Sequence, residues 1–175
     1  MCSGSGTNFE NIVRTCREDE VVLMVYNKKK CGAAKRAHKL GIPYCYIKSK
    51  DEDSIIAMFK AMNVDLIVLA GWMRILSKNF IDSFPNKIIN IHPSLLPKYK
   101  GINAIQQALD CRDNVTGCTV HYVTEELDSG DIICQAEVPI FPDDTIKTLT
   151  KAVQQKEYEI LPLGIKSFKS MQEGE

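Results

Sequence analysis

The sequence predicts an α/β fold in which a parallel sheet is covered on both faces by helices. Two observations predict it: short apolar runs and helical-period segments alternate along most of the chain, and the chain is long enough for one such domain. At 175 residues, a single compact domain over 1–175 is the expectation.

Behind a Ser/Gly/Thr-rich opening, Phe9, Ile12, Val13 and Cys16 recur at helical spacing and form the apolar face of a first helix. VVLMVY (Val21 to Tyr26) then reads as a buried strand. GAAKRAHKL and the set Ile55, Phe59, Met62 read as helices, with IPYCYI between them and DLIVLAG after them as strands. IINI (Ile88 to Ile91) is a further short strand, and NAIQQAL from Asn103 a further helix. The pattern then changes, because GCTVHYV alternates with period two and DIICQAEVPI follows across a Gly-Asp turn, which predicts a hairpin of half-exposed strands. Helical spacing returns from Thr145 to the end. No repeat, low-complexity tract or linker divides the chain.

Composition narrows the function classes. The 22 basic and 22 acidic residues cancel, which argues against nucleic acid or an anionic membrane as partner and favours a small-molecule site. Seven scattered cysteines without a CxxC pair or metal-ligand spacing predict free thiols and no metal. The longest apolar stretch, Val64 to Leu76, contains Asp65 and Arg74 and falls short of the roughly 20 residues that span a bilayer. With no signal segment legible at the start, a cytoplasmic location is expected. Monomer and homodimer both stay open.

The segment Asn90 to Gly101 (NIHPSLLPKYKG) is the most informative. Asn90 and His92 are two apart at the end of an apolar strand, so their side chains share a face, and in open parallel sheets ligands bind beyond the carboxyl ends of strands. An amide and an imidazolium there can donate to an oxyanion developing on a carbonyl carbon, although the pair alone also fits a polar strand end. TEELDSGD (Thr124 to Asp131) offers carboxylates in a turn, and Asp128 beside His92 would keep the imidazole cationic. Alone, it equally fits a solvated acidic loop. SGSGTN (Ser3 to Asn8) lets backbone N–H groups converge at a helix N-terminus, which suits a phosphate, with a capped glycine turn as the bland alternative. His121 reads as a structural histidine, and His38, on a basic helix, as solvated.

Taken together in this order and spacing, SGSGTN, LAGWMRILS, NIHPSLLP, GCTVHYV and ELDSGDIICQ resemble the folate-dependent formyltransferases, within them the branch acting on phosphoribosylglycinamide (GAR). The resemblance runs from about Ser3 to Phe168. It implies a doubly wound, mostly parallel sheet and transfer of a formyl group from 10-formyltetrahydrofolate, as co-substrate, to the GAR amine in purine biosynthesis. It implies catalytic roles for Asn90, His92 and Asp128. It implies a GAR site of Gly6, Thr7, Asn8, Gln154 and Glu157. The implied folate pocket comprises Met73, Arg74, Ile75 and Leu76 with Asn90, Thr124, Glu125, Glu126, Leu127 and Asp128.

Three departures stand out. The family has an apolar strand before SGxGTN, whereas only Met1 and Cys2 precede it here, so the first strand is expected to be missing or its place filled by another segment. Ile105 stands where many members have a histidine. The basic residue expected before the Ile55 helix is Lys48 or Lys50. The alternatives are a formyltransferase for another amine, which usually carries a further domain, and a folate-binding protein with impaired turnover.

Overall fold

The computed structural model describes residues 1–48 and 50–173. The chain divides into two compact units, Met1–Ile89 and Asn90–Glu175.

In the first unit, strands and helices alternate as α1 (Thr7–Thr15), β1 (Met24–Tyr26), α2 (Gly32–Leu40), β2 (Tyr44–Tyr46), α3 (Glu52–Ala61), β3 (Ile67–Leu69) and α4 (Lys78–Ser83). β1 pairs with β2 in parallel. The expected six-residue strand Val21–Tyr26 is only three residues long. Its partner explains this: the Met24 N–H donates to the Pro43 carbonyl at 2.9 Å, and Pro43 has no N–H with which to extend the ladder backwards.

Between β1 and β3 the place of the expected first strand is taken by Met1–Ser3. The Cys2 N–H donates to Val25 O at 2.9 Å, the Ala70 N–H to Met1 O at 3.0 Å, and the Ser3 N–H to Gly71 O at 2.9 Å. Cys2 forms one isolated parallel bridge with Tyr26. The segment therefore satisfies the backbone groups that a missing strand would leave unpaired, and Met1, Cys2 and Ser3 are all buried.

Two helices of this unit, α3 and α4, start where the sequence supplies side-chain caps. Asp51 accepts from the Ser54 N–H ahead of α3, and Ser77 accepts from the Phe80 N–H ahead of α4. α4 has no counterpart in the sequence reading: six residues are too few to display a period, and Phe80 is its buried residue. Phe80 packs on Phe84, which packs on Phe59 of α3. Met62, expected on the buried face of α3, is its C-cap and is exposed.

β4 (Ile88–His92) closes the first unit and opens the second, which continues with α5 (Ala104–Asp110), β5 (Val115–Tyr122), β6 (Ile132–Pro139) and α6 (Ile146–Glu173). The strands lie in the order β4, β5, β6, with β5 and β6 antiparallel. The hairpin is present, but its strands are not equally half-exposed. β5 is buried from Thr116 to His121, because it lies between two strands and under α6, while β6 is largely open. Gly164 of α6 approaches so closely that a Cβ there would lie 2.7 Å from Val120 Cγ1.

Within buried β5, Thr119 and His121 find polar partners. Thr119 does so for a whole loop: its hydroxyl donates to Ser94 O at 2.7 Å and accepts from the Leu96 N–H at 3.1 Å. Gln135 of β6 donates to the Leu96 carbonyl at 2.9 Å and to Thr119 Oγ1 at 2.8 Å. The Ser94–Tyr99 turn is thus hung on the hairpin. Gly117 lets Leu95 into this corner, since a Cβ at Gly117 would fall 2.1 Å from Ala136 O and 2.6 Å from Leu95 Cδ2. Gly117→Ala is expected to lower stability by about 2–4 kcal/mol, read as the midpoint of urea unfolding; a loss below about 1 kcal/mol would contradict the packing.

Candidate active site

At the carboxyl end of β4, Asn90 and His92 point the same way, as their spacing requires, and the second unit brings two more polar residues to them. One is Asp128, from the β5–β6 connection; the other is His121, from β5. Asp128 Oδ2 lies 3.3 Å from His92 Nδ1, and Asp128 Oδ1 lies 3.6 Å from His121 Nε2. All three side chains are more than nine-tenths buried. Asn90 Nδ2 lies 3.2 Å from His121 Nε2.

The hydrogen-bond partners settle most of the proton positions. His92 Nε2 meets the Tyr99 carbonyl at 2.8 Å, and a carbonyl can only accept, so Nε2 carries a proton. Its other nitrogen faces a carboxylate, which also only accepts. Both ring nitrogens therefore face acceptors. His121 Nδ1 donates to the Tyr122 carbonyl at 2.8 Å, and its Nε2 lies between the Asn90 amide and the Asp128 carboxylate. Asn90 is thereby oriented with its second amide N–H available to a ligand.

Asp128 is shaped for this position. Its φ of 48° lies in the left-handed region, which Asp tolerates better than most residues. Gly130, two residues on, has no room for a side chain, as a Cβ would lie 2.0 Å from Tyr122 O. Burial raises the Asp128 pKa, but the neighbouring His121, the Gly101 N–H (2.8 Å) and the charge of His92 outweigh it and hold the carboxyl below its ordinary value. Lys100 joins the same loop, its Nζ 2.6 Å from Ser129 Oγ and 3.4 Å from Glu126 Oε1.

His121, expected to be a structural histidine, is buried and has Asn90 and Asp128 as its neighbours. The signal that could have found it is weak. The β5–β6 register shifts between Val120 and His121, where Val120 faces Cys134 but His121 faces Ile132, and such irregularities re-aim side chains beside sites. His38 is exposed, with its ring edge toward Tyr44 at 6.4 Å.

Among the remaining candidates of the second unit, Thr124, Glu125, Glu126 and Leu127 are exposed on the loop that carries Asp128. Gln154 and Glu157 lie one turn apart on α6, the first exposed and the second buried. Glu157 faces β5: the Cys118 thiol is pushed up to about 12, first by burial and then by the Glu157 charge.

In the first unit, Gly6 precedes α1 with φ 76°, and a Cβ there would fall 2.5 Å from Ala33 Cα, so the turn requires glycine twice over. Thr7 and Asn8 are the first residues of α1, where N–H groups lack intrahelical acceptors. Arg36 of α2 fixes the turn, donating from Nε to Ser5 O at 2.9 Å and pairing with Glu10. After β3, the Met73 N–H donates to Ser3 Oγ at 2.9 Å. Met73, Arg74 and Ile75 are exposed and Leu76 is buried. Lys48 and Lys50 are both exposed. Among the described residues no group of three or more His, Cys, Asp or Glu is placed to hold a metal, and no helix is long and apolar enough to cross a membrane.

An amide and a carboxylate-held imidazole at a strand end, on an α/β scaffold, have the chemistry that addition to a carbonyl carbon requires. The chain is similar to known proteins over nearly its whole length. The Formyl transferase family model matches residues 1–165. Phosphoribosylglycinamide formyltransferase of Haemophilus influenzae is 41% identical over 179 residues, covering 96% of this chain and 84% of its own length. The trifunctional purine biosynthetic protein adenosine-3 of Gallus gallus is 39% identical over 176 residues, 94% of this chain but only 18% of that longer protein. Among solved structures, phosphoribosylglycinamide formyltransferase from Bacillus halodurans superposes with a TM-score of 0.91 at 35% identity, covering 99% of this chain and 94% of that one. The enzyme from Anaplasma phagocytophilum gives 0.90 at 38% identity, covering 94% and 82%. The chain belongs to the formyl transferase family.

Proposed function

We propose that the protein transfers the formyl group of 10-formyltetrahydrofolate to the amine of GAR, a step of purine biosynthesis. The observation that carries this reading is the buried Asn90–His92–Asp128 cluster, whose donors suit an oxyanion, in a chain of this family. The amine nitrogen bonds to the formyl carbon, and the carbonyl π electrons move to oxygen. Asn90 Nδ2–H donates to that oxygen, and the positive charge of the His92 imidazolium, whose two N–H groups are held by Tyr99 O and Asp128, stabilises it. The tetrahedral centre then collapses, breaking the bond to folate N10, which takes up the proton lost by the amine. Asp128 keeps His92 protonated through both steps and holds a water that relays the proton.

The remaining residues bind the two substrates. We assign Gly6, Thr7 and Asn8 to the GAR phosphate and Glu157, with Gln154, to its ribose hydroxyls. Met73, Arg74, Ile75 and Leu76, and in the second unit Asn90 with Thr124 to Asp128, are assigned to the folate. Exposed Met73 and Ile75 side chains suit the flat faces of a pterin, and the backbone of an exposed loop suits its polar edge. The family match over residues 1–165 supports treating 1–175 as one functional domain, and seven free cysteines accord with a cytoplasmic setting.

The test is formyl transfer to GAR, followed by release of deformylated folate, beside the same assay with an amine lacking the phosphate. Transfer to GAR alone is expected, and equal formylation of a free sugar amine or an aminoacyl-tRNA would overturn the assignment. Glu157→Ala should raise KM for GAR about tenfold or more while KM for folate stays within about twofold, because only one substrate loses a charged hydrogen bond. A parallel loss for both substrates would remove Glu157 from the ribose site.

A further inference from the structure

His92 depends on an acceptor that no side chain provides, the backbone carbonyl of Tyr99. That carbonyl is where it is because Tyr99 adopts φ 55°, a left-handed conformation that a bulky aromatic residue rarely takes. Something must hold it there. The Tyr99 hydroxyl donates to Asp113 Oδ2 at 2.9 Å, and Lys98 Nζ lies 3.2 Å from the same oxygen. Asp113 is itself fixed, since it follows the end of α5 and its N–H donates to Ala108 O at 3.1 Å. Hydrogen bonding to Cys111 and to Asp113 keeps the Tyr99 hydroxyl protonated well above its ordinary range, so it stays a donor.

We infer that Asp113 and Tyr99 form a clamp that sets the Tyr99 carbonyl against His92 Nε2, and that both are positioning residues for the transfer reaction. The inference rests on the reading of His92 as the charged group beside the oxyanion. Within this arrangement His92 is fixed from two sides. Asp128 engages Nδ1 and is shared with His121, while the clamp engages Nε2. The lysines flanking Tyr99 are occupied, Lys98 with Asp113 and Lys100 with Glu126 and Ser129. Without the Tyr99–Asp113 bond the backbone at Tyr99 is free to leave the left-handed region. Its carbonyl then swings off Nε2, and the ring can turn or exchange tautomers.

The experiment is nitrogen NMR of the His92 ring in the full chain, in Tyr99→Phe, Asp113→Ala and Asp113→Asn. In the unaltered chain the neutral ring should be the Nε2–H tautomer with a proton that exchanges slowly. Tyr99→Phe and Asp113→Ala should each speed that exchange and lower kcat by about tenfold, with KM held within about twofold, since ring placement matters most in the transition state. Asp113→Asn keeps an acceptor for the hydroxyl and should restore most of both. The double variant Tyr99→Phe/Asp113→Ala should be no worse than either single one, because both break one contact. Unchanged exchange and tautomer in either folded single variant, or additive losses in the double one, would overturn the clamp. The NMR arm needs no substrate, so it decides the clamp even if GAR proves to be the wrong amine.

Discussion

His92→Ala is expected to lower kcat for formyl transfer by about 10²–10⁴-fold while a folate analogue binds nearly as before. The asymmetry follows from where the imidazolium acts. Its charge attracts the formyl oxygen more strongly as that becomes an oxyanion and is worth little to the uncharged carbonyl of the ground state. The measurement is single-turnover transfer beside analogue binding by calorimetry. A loss of binding as large as the loss of rate would move His92 from the chemistry to the binding surface.

Asp128→Asn should cost both rate and stability, and the second loss depends on pH. A shape-preserving amide still receives the Gly101 N–H but cannot balance an imidazolium, so the rate should fall about 10²-fold or more. For stability, the Asp128 carboxyl has a folded pKa below its unfolded value. Its contribution is therefore fully present above the ordinary Asp range and disappears as pH falls through the folded value. Breaking a pair whose side chains are over nine-tenths buried costs about 3–5 kcal/mol as an upper range, and the retained Gly101 hydrogen bond places this variant at its lower end. Urea unfolding from pH 7 into the acid range should show the unaltered and variant curves converging as the carboxyl protonates. Parallel curves would mean that Asp128 shapes its loop without carrying charge into the fold.

Much of this architecture could be read from the chain because it is written locally. Apolar runs and helical spacing gave the alternation of strands and helices, and Asn90 and His92 needed only their two-residue spacing to share a face. The folate-formyltransferase motifs then picked out Asp128 among several loop carboxylates. What escaped was determined by distant partners. β5 looks half-exposed by its alternation, yet α6 covers the face that carries Val120 and the Ser94–Leu96 turn covers the face that carries Gly117 and Thr119, so both faces are buried. His121 joins Asn90 and Asp128 only because the pairing with β6 slips beside it. β1 stops at Met24 because of Pro43 in the neighbouring strand, and no pattern within Val21–Tyr26 says so. Tyr99 and Asp113 are 14 residues apart, with a helix between them and no motif in common.

The bonds that hang the Ser94–Tyr99 turn on Thr119 and Gln135 have a kinetic meaning. A surface loop ordinarily opens on its own, at little cost in free energy. This one cannot leave without stripping a buried hydroxyl in the middle strand of three and an amide in its neighbour, so its opening is tied to fraying of the hairpin. The carbonyl that His92 leans on thus inherits the lifetime of the sheet. The turn is then a fixed wall of the site and a steady reference for the ring that does the chemistry.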